Sequence, residues 1–203
     1  RDDMGACLAL LPGESPRLAL IFYSDREGGR GGYDLWRSFE ADDGGWEPPV
    51  QLGPEVNGSY NEYSPSIGPD GRTLWFATNR RKGAEHPPRR WLSTIRETLY
   101  APDYDIFTAD IVDPKTLSVS SARTVEGLSL PDASEGAIAV APHGDFVYFS
   151  SNRPGGRGGF DLWRARISGG RVAAPENLGP RVNTEGNELD PALAAEGFEL
   201  YFS

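Results

Sequence analysis

Short apolar runs bounded by glycine and proline set the pattern of this chain. Leu20-Ile21-Phe22, Leu74-Trp75-Phe76, Val147-Tyr148-Phe149 and Leu200-Tyr201-Phe202 each follow a Gly-containing turn, and the four copies start 54, 73 and 53 residues apart. Runs this short with turn residues around them predict β-strands rather than helices. Within one repeat the reading is four short strands. The first is Ser64 to Ile67, closed by the turn Pro69-Asp70-Gly71, and the second is Leu74 to Thr78. The third corresponds to Tyr33 to Phe39 of the first repeat, and a weaker fourth ends at Gln51-Leu52. In the second strand Leu74 and Phe76 point to one side and Trp75 and Ala77 to the other. A strand apolar on both faces belongs to a sheet sandwiched between two neighbours.

The repeat extends beyond the strands. Gly28-Gly29-Arg30-Gly31-Gly32 recurs as Gly155-Gly156-Arg157-Gly158-Gly159, followed by Tyr33-Asp34-Leu35-Trp36 and Phe160-Asp161-Leu162-Trp163, while the second copy offers Tyr104-Asp105-Ile106-Phe107. Leu52-Gly53-Pro54, Val56-Asn57 and Asn61-Glu62 match Leu178-Gly179-Pro180, Val182-Asn183 and Asn187-Glu188 at a constant offset of 126. A fixed period of this kind marks a repeat architecture. The expectation is an all-β β-propeller of four-stranded antiparallel blades, about three and a half of them, in one segment over 1–203 with approximate blades 1–57, 58–130 and 131–184 and a partial one over 185–203.

Through Asn61-Glu62-Tyr63-Ser64-Pro65 with Pro69-Asp70-Gly71, and Ser151-Asn152-Arg153-Pro154-Gly155-Gly156 with Gly159-Phe160-Asp161, the chain resembles the TolB-like, WD-repeat-like propellers of the Pro-Asp-Gly type, often found beside OmpA-like envelope domains. The resemblance covers essentially the whole length. It implies a periplasmic or cell-envelope protein of a bacterium that acts as a scaffold for other proteins, or an accessory propeller of a peptidase or glycosidase. Two departures stand out: Leu8 falls where the first repeat's Glu is expected, and the second repeat lacks the Leu-Gly-Pro and Gly-Gly-Arg-Gly-Gly segments.

Composition narrows the partners. Among 203 residues, 20 Lys and Arg face 30 Asp and Glu, a net charge of -10 that repels a phosphate backbone, so nucleic acid is not expected. No apolar run approaches the ~18 residues of a membrane span. The single Cys7 excludes an internal disulfide and a cysteine-cluster metal site. Two histidines and no Gly-x-Ser-x-Gly elbow leave no catalytic set, and no motif calls for a cofactor or metal.

Strand polarity brings one set of charged side chains to a common rim: Glu62, Arg80 and Asp105 in one blade and Glu135, Arg153 and Asp161 in the next, with Asp34 and Glu188 at matching positions. Two readings follow. In the first, each set is a structural ion-pair network in which the Asp anchors its Gly-rich loop through backbone N–H groups. In the second, Glu62, Glu135 and Glu188 line the channel mouth and hold a cation such as calcium, or a basic peptide. A glycosidase pair needs two unequal acids, and repeat-related acids give no reason for inequality.

The least repetitive segment, Ala84 to Pro102, adds 17 residues between strands two and three of the second repeat. Arg89, Arg90, Trp91 and Arg96 make it a candidate docking loop, with apolar spacings that suit a short amphipathic helix behind Pro87-Pro88. The chain opens in a first strand, Leu8 to Leu11, and stops after the second strand of a fourth blade. Further chain, or a partner that adds strands to the open C-terminal blade, is expected to finish the ring.

Overall fold

The structure is a computed structural model that describes residues 2–80 and 104–203. Three antiparallel sheets follow one another along the chain. The first runs β1 (Asp3–Leu11), β2 (Arg17–Ser24), β3 (Asp34–Phe39) and β4 (Val50–Gln51). The second runs β5 (Glu62–Ile67), β6 (Thr73–Thr78), β7 (Asp105–Asp113) and β8 (Ser118–Val119), and β9 (Arg123–Thr124) also pairs with β7. The third runs β10 (Glu135–Val140), β11 (Phe146–Ser151), β12 (Asp161–Ser168) and β13 (Arg171–Val172), with β14 (Glu176–Asn177) on β12. A two-stranded sheet, β15 (Ala192–Leu193) and β16 (Leu200–Tyr201), completes the described chain. No helix occurs among the described residues. The first strands of the sheets, β1, β5, β10 and β15, lie beside one another in sequence order. The sheets are therefore blades stacked around an axis, with those strands innermost.

Two apolar layers hold the stack together. Ala19, Ile21 and Leu35 of the first blade pack against Leu74, Phe76, Phe107 and Leu117 of the second. Trp75, Ala77 and Ile106, on the opposite face of that second blade, pack against Ile138, Val147, Phe149 and Trp163 of the third. The two-faced apolar character of strand two thus has the cause expected from its sequence: each face covers a different neighbour.

The inner strands begin earlier than their apolar residues suggest, at Asp3, Glu62 and Glu135, because each carries a bulge two residues in. At the bulge Gly5, Ser64 and Ala137 take φ values of 54°, 51° and 48°, and Asp190 takes 51° at the matching place in the fourth repeat. The bulge also corrects one expectation. Asp3, not Leu8, fills the first repeat's acidic position, since Asp3 faces Ser24 as Glu62 faces Thr78. The β1–β2 hairpin is the longer one: Asp3 and Ser24 are 21 residues apart, against 16 for Glu62 and Thr78 and for Glu135 and Ser151. Counting back from the apolar run therefore lands on the wrong residue.

Candidate functional site

One row of side chains crosses each blade at the same rim. Glu62 faces Thr78 and Thr78 faces Asp105; Glu135 faces Ser151 and Ser151 faces Asp161; Asp3 faces Ser24 and Ser24 faces Asp34. An arginine lies two residues beyond each hydroxyl. Arg80 Nη2 stands 2.9 Å from Glu62 Oε1, Arg153 Nη2 3.1 Å from Glu135 Oε1, and Arg26 Nη2 2.6 Å from Asp3 Oδ1. The hydroxyls complete the row: Thr78 Oγ1 donates to Glu62 (3.0 Å), Ser151 Oγ to Glu135 (3.0 Å) and Ser24 Oγ to Asp3 (2.6 Å).

The same arginines tie the row to the preceding loop. Arg80 donates to the carbonyl of Val56 and Arg153 to that of Leu128. From those loops Gly58 N donates to Glu62 Oε2 (3.0 Å) and Leu130 N to Glu135 Oε2 (3.2 Å). Arg153 lies over the Phe149 and Trp163 rings, and Arg26 over Phe22 and Trp36, each about 5 Å from the centroids. Glu62 and Glu135 have no solvent exposure, and Arg153 has 6%. Burial pushes the Glu135 carboxyl up to about 7, against the pull of Arg153 and the bonds from Ser151 and Leu130. It also raises Glu62, opposed first by Arg80. The charge of Asp105 acts on Glu135 of the next blade, where it pushes in the same upward direction as burial. Asp105 thus lies in the Glu62 row and acts on the acid of the next blade.

In the first and third blades the third residue of the row holds the Gly-rich loop. Asp34 Oδ2 accepts from Arg30 N (2.8 Å) and Gly31 N (3.2 Å), and its other oxygen accepts from Gln51 Nε2 (3.1 Å). Asp161 accepts from Arg157 N (2.7 Å), Gly158 N (3.0 Å) and Asn177 Nδ2 (2.7 Å). Glycine is required here by contact. A Cβ on Gly31 would meet the Tyr60 carbonyl oxygen at 1.9 Å, and one on Gly158 would meet the Gly186 carbonyl oxygen at 2.0 Å. Glu188 is also buried, and accepts from Thr184 N (3.1 Å) and from Thr184 Oγ1.

Glu62 and Glu135 thus point into the protein, bonded to arginine, hydroxyl and backbone donors, while the Asp3 side chain is 46% exposed. No cluster of three or more His, Cys, Asp or Glu placed to hold a metal ion occurs among the described residues. The docking-loop residues Arg89, Arg90, Trp91 and Arg96, and the helix expected there, lie outside the described residues.

Several interacting groups escaped the sequence reading. Asp3 was hidden by the hairpin length, whereas Arg26 follows Leu20 at the spacing at which Arg80 follows Leu74 and was available from the repeat. Asn57 and Asn183 each bind both the N–H and the C=O of the strand-three residue, Leu35 and Leu162, within 3.0 Å. Their recurrence at the offset of 126 was the available signal. Tyr23, Tyr33, Tyr63 and Tyr104 form a chain of edge-to-face pairs with centroids 4.7 to 6.0 Å apart, of which the repeat marks only Tyr33 and Tyr104 as matching positions. A cavity of about 880 Å³ opens between the second and third blades, lined in part by Trp75, Asp110, Arg123, Glu126 and Arg171.

Stacked four-stranded blades with a recurring ion-pair row define the class of this protein as a β-propeller. More narrowly, its fold is that of the TolB-type propellers. The chain is similar in structure to TolB from Acinetobacter baumannii (15% identity, TM-score 0.54, covering 99% of this chain and 37% of that one). It is similar also to a puromycin hydrolase (18% identity, TM-score 0.55, covering 100% of this chain and 27% of that one). The chain spans well under half the length of either. No protein-family model matches it, and no curated protein matches it in sequence.

Proposed function

We propose that this propeller is a non-enzymatic scaffold for protein–protein contacts in a bacterial envelope or extracytoplasmic complex. The observation that carries the reading is the internal commitment of the repeated acids: Glu62 and Glu135 are fully buried and paired with Arg80 and Arg153. An acid that serves as catalyst or ligand must meet a substrate. These meet the backbone of their own loops instead. With the rim chemistry used for assembly, the outer surfaces and the connecting loops are what remains for function. The likeness to TolB supports the envelope setting.

The second reading, an accessory propeller of a hydrolase, is supported by the likeness to puromycin hydrolase. In that case catalytic residues lie on another domain or chain, or arise from the rim carboxylates. One experiment separates the scaffold reading from catalysis by the rim carboxylates. The purified protein is assayed on chromogenic peptide, ester and glycoside substrates beside Glu135→Gln and Glu188→Gln, with melting recorded for each. The scaffold reading expects no turnover by any of them and a lower melting temperature for the variants. Turnover lost in a variant that melts like the parent would overturn it.

A further inference from the structure

The junction between the first and second blades and that between the second and third use equivalent positions and fill them differently. At the first junction Phe39, which faces Ala19 across the strands, is 1% exposed and packs with Ile111, Leu117 and Val119. The guanidinium groups of Arg17 and Arg37 lie over its ring at 4.0 and 4.9 Å, and Arg17 Nη1 donates to the Lys115 carbonyl across the junction at 3.3 Å. A ring, a leucine and an arginine thus close that space.

At the second junction the ring and the leucine are both replaced. Asp110, which faces Thr73 as Phe39 faces Ala19, occupies the ring's position and pairs with Arg123 at 2.6 and 2.9 Å. Leu117 belongs to the loop of the β7–β8 hairpin, in which Ile111 faces Val119. The equivalent β12–β13 hairpin, in which Ile167 faces Val172, turns on Gly169-Gly170 alone at φ values of 57° and 73°. A Cβ on either glycine would meet nothing within 4 Å. These replacements open the cavity of about 880 Å³, a size suited to a small organic ligand. Sheets of at least four strands flank it on both sides, so the opening belongs to the interior of the stack.

The lining sorts by chemistry. Ile167 and Val172 give the third blade an apolar wall, and Asp110 holds the Arg123 guanidinium, a flat cation of the kind that covers the Phe39 ring at the closed junction. Two further lining charges of opposite sign have no partner among the described residues: Arg171 on the third blade and Glu126 just after the last strand of the second. We propose that this cavity binds a short zwitterionic peptide that carries an aromatic side chain. The ring takes the space that Phe39 fills at the neighbouring junction, the peptide carboxylate meets Arg171, and the ammonium group meets Glu126. The inference stands apart from the scaffold reading, since a scaffold and an accessory propeller could each hold such a peptide.

The closed junction supplies the decisive variant. Asp110→Phe installs the ring found at the equivalent position and should fill the cavity without lowering the melting temperature. Calorimetric titration is run with the tripeptide Ala-Phe-Ala, its C-terminal amide, its N-acetyl form, Ala-Ala-Ala, and maltotriose as a neutral sugar probe. The parent is expected to bind Ala-Phe-Ala, to bind the other three peptides about tenfold or more weakly, and to leave maltotriose unbound. Asp110→Phe should abolish binding. Arg171→Ala, a change at an exposed residue, should weaken Ala-Phe-Ala about tenfold and leave the affinity for the amide as it was. A parent that does not bind Ala-Phe-Ala at millimolar concentration overturns the proposal, as do equal affinities for all four peptides, tighter binding of maltotriose, or a folded Asp110→Phe that binds like the parent. If Asp110→Phe fails to melt cooperatively, Arg171→Ala decides by the same comparison of free peptide with amide.

Discussion

Arg26 reaches Asp3 at 2.6 Å in the same row of its blade in which Arg153 reaches Glu135 at 3.1 Å, but the two pairs differ in burial. The Asp3 side chain is 46% exposed and that of Glu135 is not exposed at all. Exposed pairs contribute about 1 kcal/mol or less, whereas removing one partner of a buried pair costs about 3–5 kcal/mol. Denaturant unfolding should therefore show Asp3→Ala close to the parent and Arg153→Met several kcal/mol less stable. Equal losses would mean that the first blade's open face is covered in solution.

Acidity should act through Glu135. Burial raises its folded-state value from 4.5 to about 7, so the folded protein binds the proton more tightly than the unfolded chain does. The group's contribution to stability is therefore greatest below about pH 4.5, declines as pH rises through 7, and is flat above. In urea unfolding from pH 4.5 to 8.5, the difference between parent and Glu135→Gln should favour the parent increasingly toward low pH. A difference independent of pH would show that Glu135 stays ionised throughout, held by Arg153.

The Gly-rich loop depends on its aspartate. Asp161→Ala removes the acceptor for Arg157 N and Gly158 N, both close to a loop that contains a trypsin site at Arg157. Cleavage there should become faster by about tenfold or more, consistent with two lost charge-assisted hydrogen bonds. Unchanged cleavage would mean that the glycine contacts alone hold the loop.

Gly136 should not accept a side chain. A Cβ there would lie 1.6 Å from the Tyr63 hydroxyl, which belongs to the buried tyrosine chain. Gly136→Ala is expected to cost about 1–3 kcal/mol, and pairing it with Tyr63→Phe should recover part of the loss by removing the clashing oxygen. No recovery in the double variant would place the strain in the backbone rather than at the hydroxyl.

How much of this was readable depends on what the repeat copies. The strands, the antiparallel blades and the convergence of Glu62 with Arg80 and of Glu135 with Arg153 follow from apolar runs and strand polarity, both of which recur in register. Asp3 was not readable because a longer hairpin shifted it against the apolar run and a shorter acid replaced Glu. The Tyr63 and Gly136 contact joins two blades whose side chains differ at every copy, so no period announces it. The burial that turns candidate ligands into internal bonds is likewise a property of neighbouring loops, not of spacing.

The central claim is that the Glu and Arg rows hold blades together rather than perform chemistry. Its most direct test is a double-mutant cycle on the pair Glu135 and Arg153, measured by equilibrium unfolding near pH 8 with Glu135→Leu, Arg153→Met and the two combined. The account predicts that each single change costs several kcal/mol by leaving a partner buried and unpaired, and that the double variant recovers most of the loss. Single changes that leave stability as it was, with no coupling between them, would contradict it.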